Sequence, residues 1–362
     1  MPPDGSIFER RRSNLSARFA EFGVDALLLL GQKNIRYLTG FTGDEAVLFL
    51  TGRGAVLVVD GRFTTQAKGE VAGPEILECR DRVEAIRSVL AKDGIETVGF
   101  ESAVMTVDLF DKLNDGGLAG IVLKPLSEKI SDIRIIKDEG EIAKMRRAAA
   151  IAREALLAVR DRIEPGVSER ELALELEYRM RQGGAEGVSF PSIVASGANS
   201  ALPHATPQDR RIERGDALVI DFGAVHEGYH SDETWTSFIG EAGDRQREVY
   251  GLVKEAHDRA LDAVRAGVPC SEVDRVARGC IEDRGMGAYF SHGTGHGVGL
   301  DVHEAPRLAA GSERILEAGM VITVEPGVYI PGLWGIRIED MVLVQEDGCE
   351  VLTGMSKALT LI

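Results

Sequence analysis

The pattern of apolar and polar positions changes partway along the chain. Phe8, Leu15, Phe19 and Phe22 recur at helical spacing over 7–22, and Gly23 follows as a helix stop. Apolar runs at 26–30, 46–50 and 55–59 are strand-sized, with Gly52 and Gly54 in the turn between the last two. A helix is predicted over 83–92 and a strand over 97–100. Such alternation predicts a mixed α/β sheet domain. Pro125 and Gly140 punctuate the next stretch and place a boundary near 130, which divides the chain into domains 1–130 and 131–362. Beyond it, Ile142, Met145, Ala149, Ala152, Leu156 and Val159 predict a long amphipathic helix from residue 141 onward. Ser168 with Glu171 three residues on has the spacing of a capping box for a helix over 168–182. After Gly184 come strands and loops, helices over 246–266 and 271–284, and further strands. The second domain therefore reads as helices followed by an antiparallel sheet, an α+β plan without tandem repeats.

Acidic residues interrupt the apolar strands of this second domain. In VIDFGAVHEGYHSDETWTS, residues 219–237, the flanking Val, Ile, Phe and Trp suit a sheet, whereas Asp221 and Asp232 are residues a strand disfavours. A turn at Glu227-Gly228 pairs His226 with Tyr229, Asp221 with Thr234 and Asp232 with Gly223. The aspartates then become diagonal neighbours on one face, about 7 Å apart at the backbone, with Gly223 leaving volume between them. Two carboxylates that close cannot both stay ionised without a counter-charge. The stretch VITVEPGVYIPGLWGIRIEDMVLV, residues 321–344, repeats the device. Centring its loop on Gly332 brings Glu325 opposite Glu339. Arg337, two residues before Glu339, shares its face, and Asp340 points away. A Glu–Arg pair explains one of these carboxylates, not four.

Between the hairpins lies SHGTGHGVGLDVHEAP, residues 291–306. His292 and His296 have the i, i+4 spacing of a helical zinc pair, but four glycines over 293–299 exclude a helix. The run is G-x-G-x-G-x-G rather than G-x-G-x-x-G, and no long helix follows, so a dinucleotide loop is not supported. A Gly-rich loop that brings backbone and imidazole close to a small site fits better. His204 lies in another loop, PHATPQDR. Four carboxylates with one or more imidazoles suit Mn²⁺, Fe²⁺, Co²⁺ or Zn²⁺ rather than a thiolate zinc site. Two divalent ions balance four negative charges. Such a pair lowers the pKa of a bridging water and clamps both nucleophile and oxyanion, which predicts hydrolysis.

Charge and cysteine usage narrow the setting. The net charge is −16, of which residues 1–132 carry −4 and the remainder −12, and all seven histidines lie in that remainder. This argues against nucleic acid or an anionic membrane as partner. No apolar run is long enough for a membrane span, and the first residues lack the apolar core of a signal peptide. Cys79, Cys270, Cys280 and Cys349 form no C-x-x-C pair and are expected as free buried thiols in a reducing compartment, most simply the cytoplasm. His257, Cys270 and Cys280 read as helix or core residues, and His226 and His230 as surface residues beside the hairpin turn.

Asp221, Asp232, His296, Glu325 and Glu339, in that order, resemble the ligand set of the pita-bread metallopeptidases. HGTGHGVGLDVHE, EPGVYI and GIRIED point to the Xaa-Pro branch, the Xaa-Pro dipeptidases (prolidases) and Xaa-Pro aminopeptidases. NIRYLTGFTG at 34–43 and DGR at 60–62 look like the creatinase-type N-terminal domain of the same enzymes. The resemblance covers nearly the whole chain and implies a pita-bread catalytic domain behind an N-terminal α/β creatinase-like domain. By that similarity Asp221 chelates one metal, His296 and Glu325 hold the other, and Asp232 and Glu339 bridge both. Glu325 is implied as general base, His204 and His303 as contacts to substrate and tetrahedral intermediate, and His292 as a pocket residue. Arg337 is implied to orient the Glu339 side and help bind substrate. The resemblance further implies Mn²⁺ ahead of Co²⁺, Zn²⁺ or Fe²⁺, short proline-containing peptides as substrates, and a homodimer. Dipeptidase is preferred over aminopeptidase because the loop over 330–337 is short. Pseudo-peptidase binding modules usually lack these ligands, and methionine aminopeptidases usually lack the N-terminal domain. One departure is Trp235, where the family commonly has Arg. On the hairpin it faces away from Asp232 and reads as a packing residue.

Overall fold

The computed structural model describes residues 5–91, 94–115, 120–126 and 129–362, so residue 92, the end of the helix expected over 83–92, lies outside the described residues. The chain divides into two compact units, Met1–Arg134 and Ile135–Ile362.

A six-stranded mixed sheet organises the first unit. Ala26–Leu29 is antiparallel to Val47–Thr51 on one side and parallel to Thr97–Phe100 on the other. All four residues of this strand are buried, as a continuous apolar run requires when helices cover both faces. The helix expected over 7–22 is two helices, Gly5–Ser16 and Phe19–Phe22, and Gly23 closes the second with φ 62°. The outer strands Glu75–Glu78 and Val122–Pro125 are short and interrupted by charged residues, which hid them in the apolar pattern.

The second unit begins with the helix Glu139–Arg160, whose six predicted apolar positions are all buried. It starts ahead of the predicted position because Asp138 and Glu141 form a reciprocal capping box. Ser168 and Glu171 cap Glu169–Gln182 as the spacing implied. These two helices pack on each other and cover a sheet of Ile193–Ser196, Ala217–Phe222 and Glu233–Phe238. Trp235 lies in that core, opposite Ile220 in the strand ladder and on the side away from Asp232. A second helix pair, Asp244–Ala263 and Cys270–Glu282, precedes a five-stranded sheet ordered Glu304–Leu308, Gly295–Gly297, Val321–Val324, Asp340–Val344, Cys349–Val351. The helices thus do not all precede one sheet. Paired helices alternate twice with small sheets, whose ladders among the described residues are antiparallel.

Three details differ from the sequence reading. Cys270 and Cys280 are buried, but Cys79 and Cys349 are only partly so; all four are free. His230 is buried rather than on the surface, because its strand lies beneath the Gly-rich segment and its backbone N–H donates to the Gly299 carbonyl. That segment is itself partly a strand, Gly295–Gly297, in the interior of the five-stranded sheet.

Candidate metal centre

Both hairpins have the registers that their turns dictate. Asp221 faces Thr234 and His226 faces Tyr229. Gly327 pairs with Arg337 and, on the other side of the break, Val324 pairs with Asp340, so Glu325 stands opposite Glu339. Each acidic residue except Asp221 sits where one ladder ends and another begins. Asp232 precedes the strand Glu233–Phe238, Glu325 follows Val321–Val324, and Glu339 precedes Asp340–Val344. At such a break the backbone leaves the pleat, and a carboxylate can turn into a cavity without crossing the next strand's hydrogen bonds. Gly223 does not leave volume between the aspartates, as the sequence suggested. A Cβ there would collide with the Ser231 carbonyl oxygen, so the glycine permits the two backbones to touch.

His296 reaches the same cavity from Gly295–Gly297. A side chain at Gly295 would meet the Thr323 carbonyl, so this strand lies unusually close to its neighbour and brings the imidazole within reach. His296 Nδ1 donates to the Gly297 carbonyl at 3.1 Å. That bond leaves Nε2 free to ligate and orients it. Nε2 lies 3.6 Å from both Asp232 Oδ2 and Glu325 Oε1. Ligand atoms of Asp232, His296 and Glu339 all fall within 4.8 Å of one another.

Arg337 is buried but does not pair with Glu339 directly, as its spacing had implied. It binds Asp221 Oδ2 at 2.5 Å and donates to Thr234 Oγ1 at 2.9 Å. Thr234 Oγ1 in turn donates to Glu339 Oε2 at 2.6 Å. A second chain runs from Arg337 to the Tyr329 hydroxyl at 2.9 Å and from that hydroxyl to His292 Nε2 at 2.8 Å. His292 Nδ1 donates to the Gly293 carbonyl, so its Nε2 accepts from Tyr329. Burial and the nearby Arg337 charge bring His292 down to about 4, which keeps it neutral. Tyr329 was not singled out from the sequence. The hairpin register made it findable, since it is a diagonal neighbour of Arg337 across the strand pair Gly327–Ile330 and Trp334–Arg337.

Burial and repulsion from neighbouring carboxylates push Asp232 and Glu339 well above the ordinary carboxylate range, with Arg337 only partly offsetting this. Burial, with the charge of Asp221, raises Glu325 to about 7. Burial lowers His296 to about 4, with the charge of His303 acting the same way. Asp221 Oδ1 is buried and accepts no hydrogen bond among the described residues. One guanidinium thus serves four carboxylates that point into one space with an oriented imidazole. This donor set fits divalent cations.

The cavity that these groups share measures about 310 Å³, near the lower end of small-molecule sites. His204 and His303 line it from exposed positions, and His292, Arg337 and all five candidate ligands line it from within. His303 also packs against His296, with ring centroids 4.3 Å apart. An apolar wall of Phe190, Pro191 and Ile193 completes the cavity. Nothing in the apolar pattern marks this wall, because its residues lie in a loop and a strand end without periodicity.

Comparison with known proteins agrees with this geometry. The model of metallopeptidase family M24 matches residues 143–346, and that of the creatinase/prolidase N-terminal domain matches residues 11–136. A Pyrococcus horikoshii protein named Xaa-Pro dipeptidase is 38% identical over 93% of this chain and 94% of its own length. The structure of an Xaa-Pro dipeptidase from Bacillus anthracis superposes with a TM-score of 0.95 at 38% identity, covering 98% of this chain and 100% of that one. An X-Pro aminopeptidase from Thermotoga maritima gives 0.90 at 37% identity, covering 97% and 100%. The likeness spans both units as well as the residues around the cavity, and the chain belongs to metallopeptidase family M24.

Proposed function

We propose that the chain is a two-metal Xaa-Pro dipeptidase that hydrolyses the bond before proline in short peptides. The observation that carries this reading is the convergence of Asp221, Asp232, His296, Glu325 and Glu339 with His204, His292, His303 and Arg337 on one small cavity. The relatives named Xaa-Pro dipeptidase support the proline specificity. In this reading domain 131–362 is catalytic and domain 1–130 is the creatinase-like N-terminal domain.

Asp221 would hold one ion, His296 and Glu325 the other, and Asp232 and Glu339 both, with Mn²⁺ preferred over Co²⁺, Zn²⁺ or Fe²⁺. When bound, the two ions supply a nucleophile at neutral pH and Lewis-acid stabilisation of the carbonyl oxygen. The chain's own groups do the rest. Glu325 accepts the proton of the attacking water and passes it to the departing imide nitrogen. His204 and His303 stand at the mouth, where they can donate to the carbonyl oxygen as charge develops on it. Arg337 holds Asp221 in place and offers its charge to the substrate. His292, tethered by Tyr329, shapes the pocket. The wall of Phe190, Pro191 and Ile193 receives apolar parts of the peptide. Proline lacks an N–H and fixes φ, so shape and these contacts must replace the usual backbone grip. The four free cysteines favour a cytoplasmic setting, and the family resemblance favours a homodimer.

The Thermotoga maritima structure favours a second reading, an Xaa-Pro aminopeptidase acting on longer peptides. The test strips the protein of metal, restores Mn²⁺, Co²⁺ or Zn²⁺ in turn, and compares Ala-Pro with Ala-Pro-Ala. Metal-dependent cleavage confined to the dipeptide supports the dipeptidase. Cleavage of the tripeptide supports the aminopeptidase. No cleavage of either with any metal refutes both.

A further inference from the structure

Asp232 and Glu339 immediately precede strands of different sheets, and among the described residues no ladder joins those sheets at this seam. The backbone crosses it where the Glu339 N–H points at the Thr234 carbonyl, at 3.3 Å. Side chains alternate along a strand, so Glu233 and Asp340 project from the face opposite the cavity. There Lys357 Nζ lies 2.6 Å from Glu233 Oε1 and 3.2 Å from Asp340 Oδ1. The side chains of Lys357, Glu233 and Asp340 are 10%, 2% and 7% exposed. The segment that carries the lysine is anchored on both sides of the seam. Thr353 Oγ1 donates to Asp340 Oδ1 at 2.5 Å, and the Met355 N–H donates to Glu233 Oε1 at 2.8 Å. His257 adds a contact from its helix, with Nε2 at 3.2 Å from Asp340 Oδ2. Glu233 Oε2 accepts no hydrogen bond among the described residues, so Lys357 and Met355 are what hold this carboxylate.

We propose that Lys357 is a positioning residue for the metal centre, an ammonium clamp behind the site that sets the spacing between the Asp232 and Glu339 strands. The proposal rests on the two-metal reading above. Lys357 does not line the cavity, so it acts without touching substrate. A neutral donor would not do the same. Without the ammonium, the bridge that ties Glu233 and Asp340 to one cation across the unladdered seam is lost, and the spacing of their strands loosens. Asp232 and Glu339 move with those strands, because each is bonded to the residue that is displaced. A pair of carboxylates shared between two ions tolerates little of this, and loss of an outer partner of a metal ligand typically weakens binding about 10–100-fold.

The experiment compares wild type, Lys357→Met, Lys357→Arg and the double variant Lys357→Met/Glu233→Gln. Mn²⁺ is titrated into the metal-free proteins by calorimetry, folding is followed by circular dichroism, and Ala-Pro hydrolysis is measured across Mn²⁺ concentrations. The expected result is a folded Lys357→Met protein whose Mn²⁺ affinity falls about 10–100-fold. Its KM for the dipeptide at saturating metal should be unchanged, and Lys357→Arg should regain most of the affinity. The double variant removes the unpaired charge but not the need for the clamp, so it should fold and still bind Mn²⁺ weakly. If Lys357→Met fails to fold, the double variant decides. Wild-type Mn²⁺ affinity in Lys357→Met or in the double variant overturns the role of Lys357 alone. A wild-type protein that takes up no divalent cation overturns the two-metal reading and this role with it.

Discussion

Stripping the metal should make the catalytic unit less stable as the pH rises from 7 to 8. A carboxyl whose folded pKa is raised keeps its proton in the folded chain after the unfolded chain has released it. Stability is then lost as pH rises from the unfolded value to the folded one. For Glu325 that window runs from 4.5 to about 7. Asp232 and Glu339 are raised well above 3.8 and 4.5 by burial and by facing other carboxylates, so for them too stability is lost as the pH climbs above those values. His292 and His296 work the other way. Burial lowers each from 6.5 to about 4, so their contribution grows between those values and is complete above them. Below pH 6.5 the two sets oppose each other. Above pH 7 Glu325 and the two histidines no longer contribute a slope, so any further loss comes from Asp232 and Glu339, and the thiols, raised from 9.0, do not yet titrate in the unfolded chain. Each of the two that holds its proton lowers stability by about 1.4 kcal/mol per pH unit. In a unit of this size that is about 3–6 °C in Tm for one proton and twice that for two. Scanning calorimetry in EDTA at pH 7, 7.5 and 8 measures it, with Glu339→Gln as a control that should flatten the slope. With Mn²⁺ present the slope should vanish or reverse, since ions bind the deprotonated ligands. A Tm in EDTA that holds level or climbs over this range would refute the reasoning.

Three further outcomes are expected. Glu339→Gln removes a charge from the pair that faces Asp232 and His296, so metal analysis should find less bound ion and turnover should fall at least about 100-fold. Tyr329→Phe removes the donor to His292 Nε2 and the acceptor for Arg337, and kcat/KM should fall about tenfold with metal content unchanged; lost metal would mean that the hydroxyl supports the ligands instead. Gly295→Ala places a methyl group against the Thr323 carbonyl, and urea unfolding should show a loss of about 3 kcal/mol or more.

The parts of the site that the sequence revealed are those governed by a period of two. With Glu227-Gly228 and Gly332 as turn centres, the opposition of Asp221 to Thr234 and of Glu325 to Glu339 follows by counting, because each hairpin keeps one register along its length. Trp235 could be assigned to the core for the same reason. Counting fails where a contact passes between sheets. Arg337 shares a face with Glu339, yet its ionic partner is Asp221, on a strand of the other sheet. Nothing in either strand's own pattern encodes how closely two sheets approach. The glycines carry part of that information, since Gly223 and Gly295 each stand where a side chain would strike the neighbouring backbone. Before the fold is known, however, a glycine such as Gly223 reads equally as empty space. The seam is also where four like charges are gathered, and they are gathered there because a ladder would have filled the space with backbone hydrogen bonds. Leaving the seam unladdered opens the cavity for cations but removes the usual means of fixing strand spacing. The spacing then rests on the backbone contact from Glu339 N–H to the Thr234 carbonyl and on side chains, Arg337 and Thr234 on the cavity side and Lys357 behind. A charged lysine far along the chain, with no periodicity around it, is the kind of residue that sequence patterning passes over for this reason.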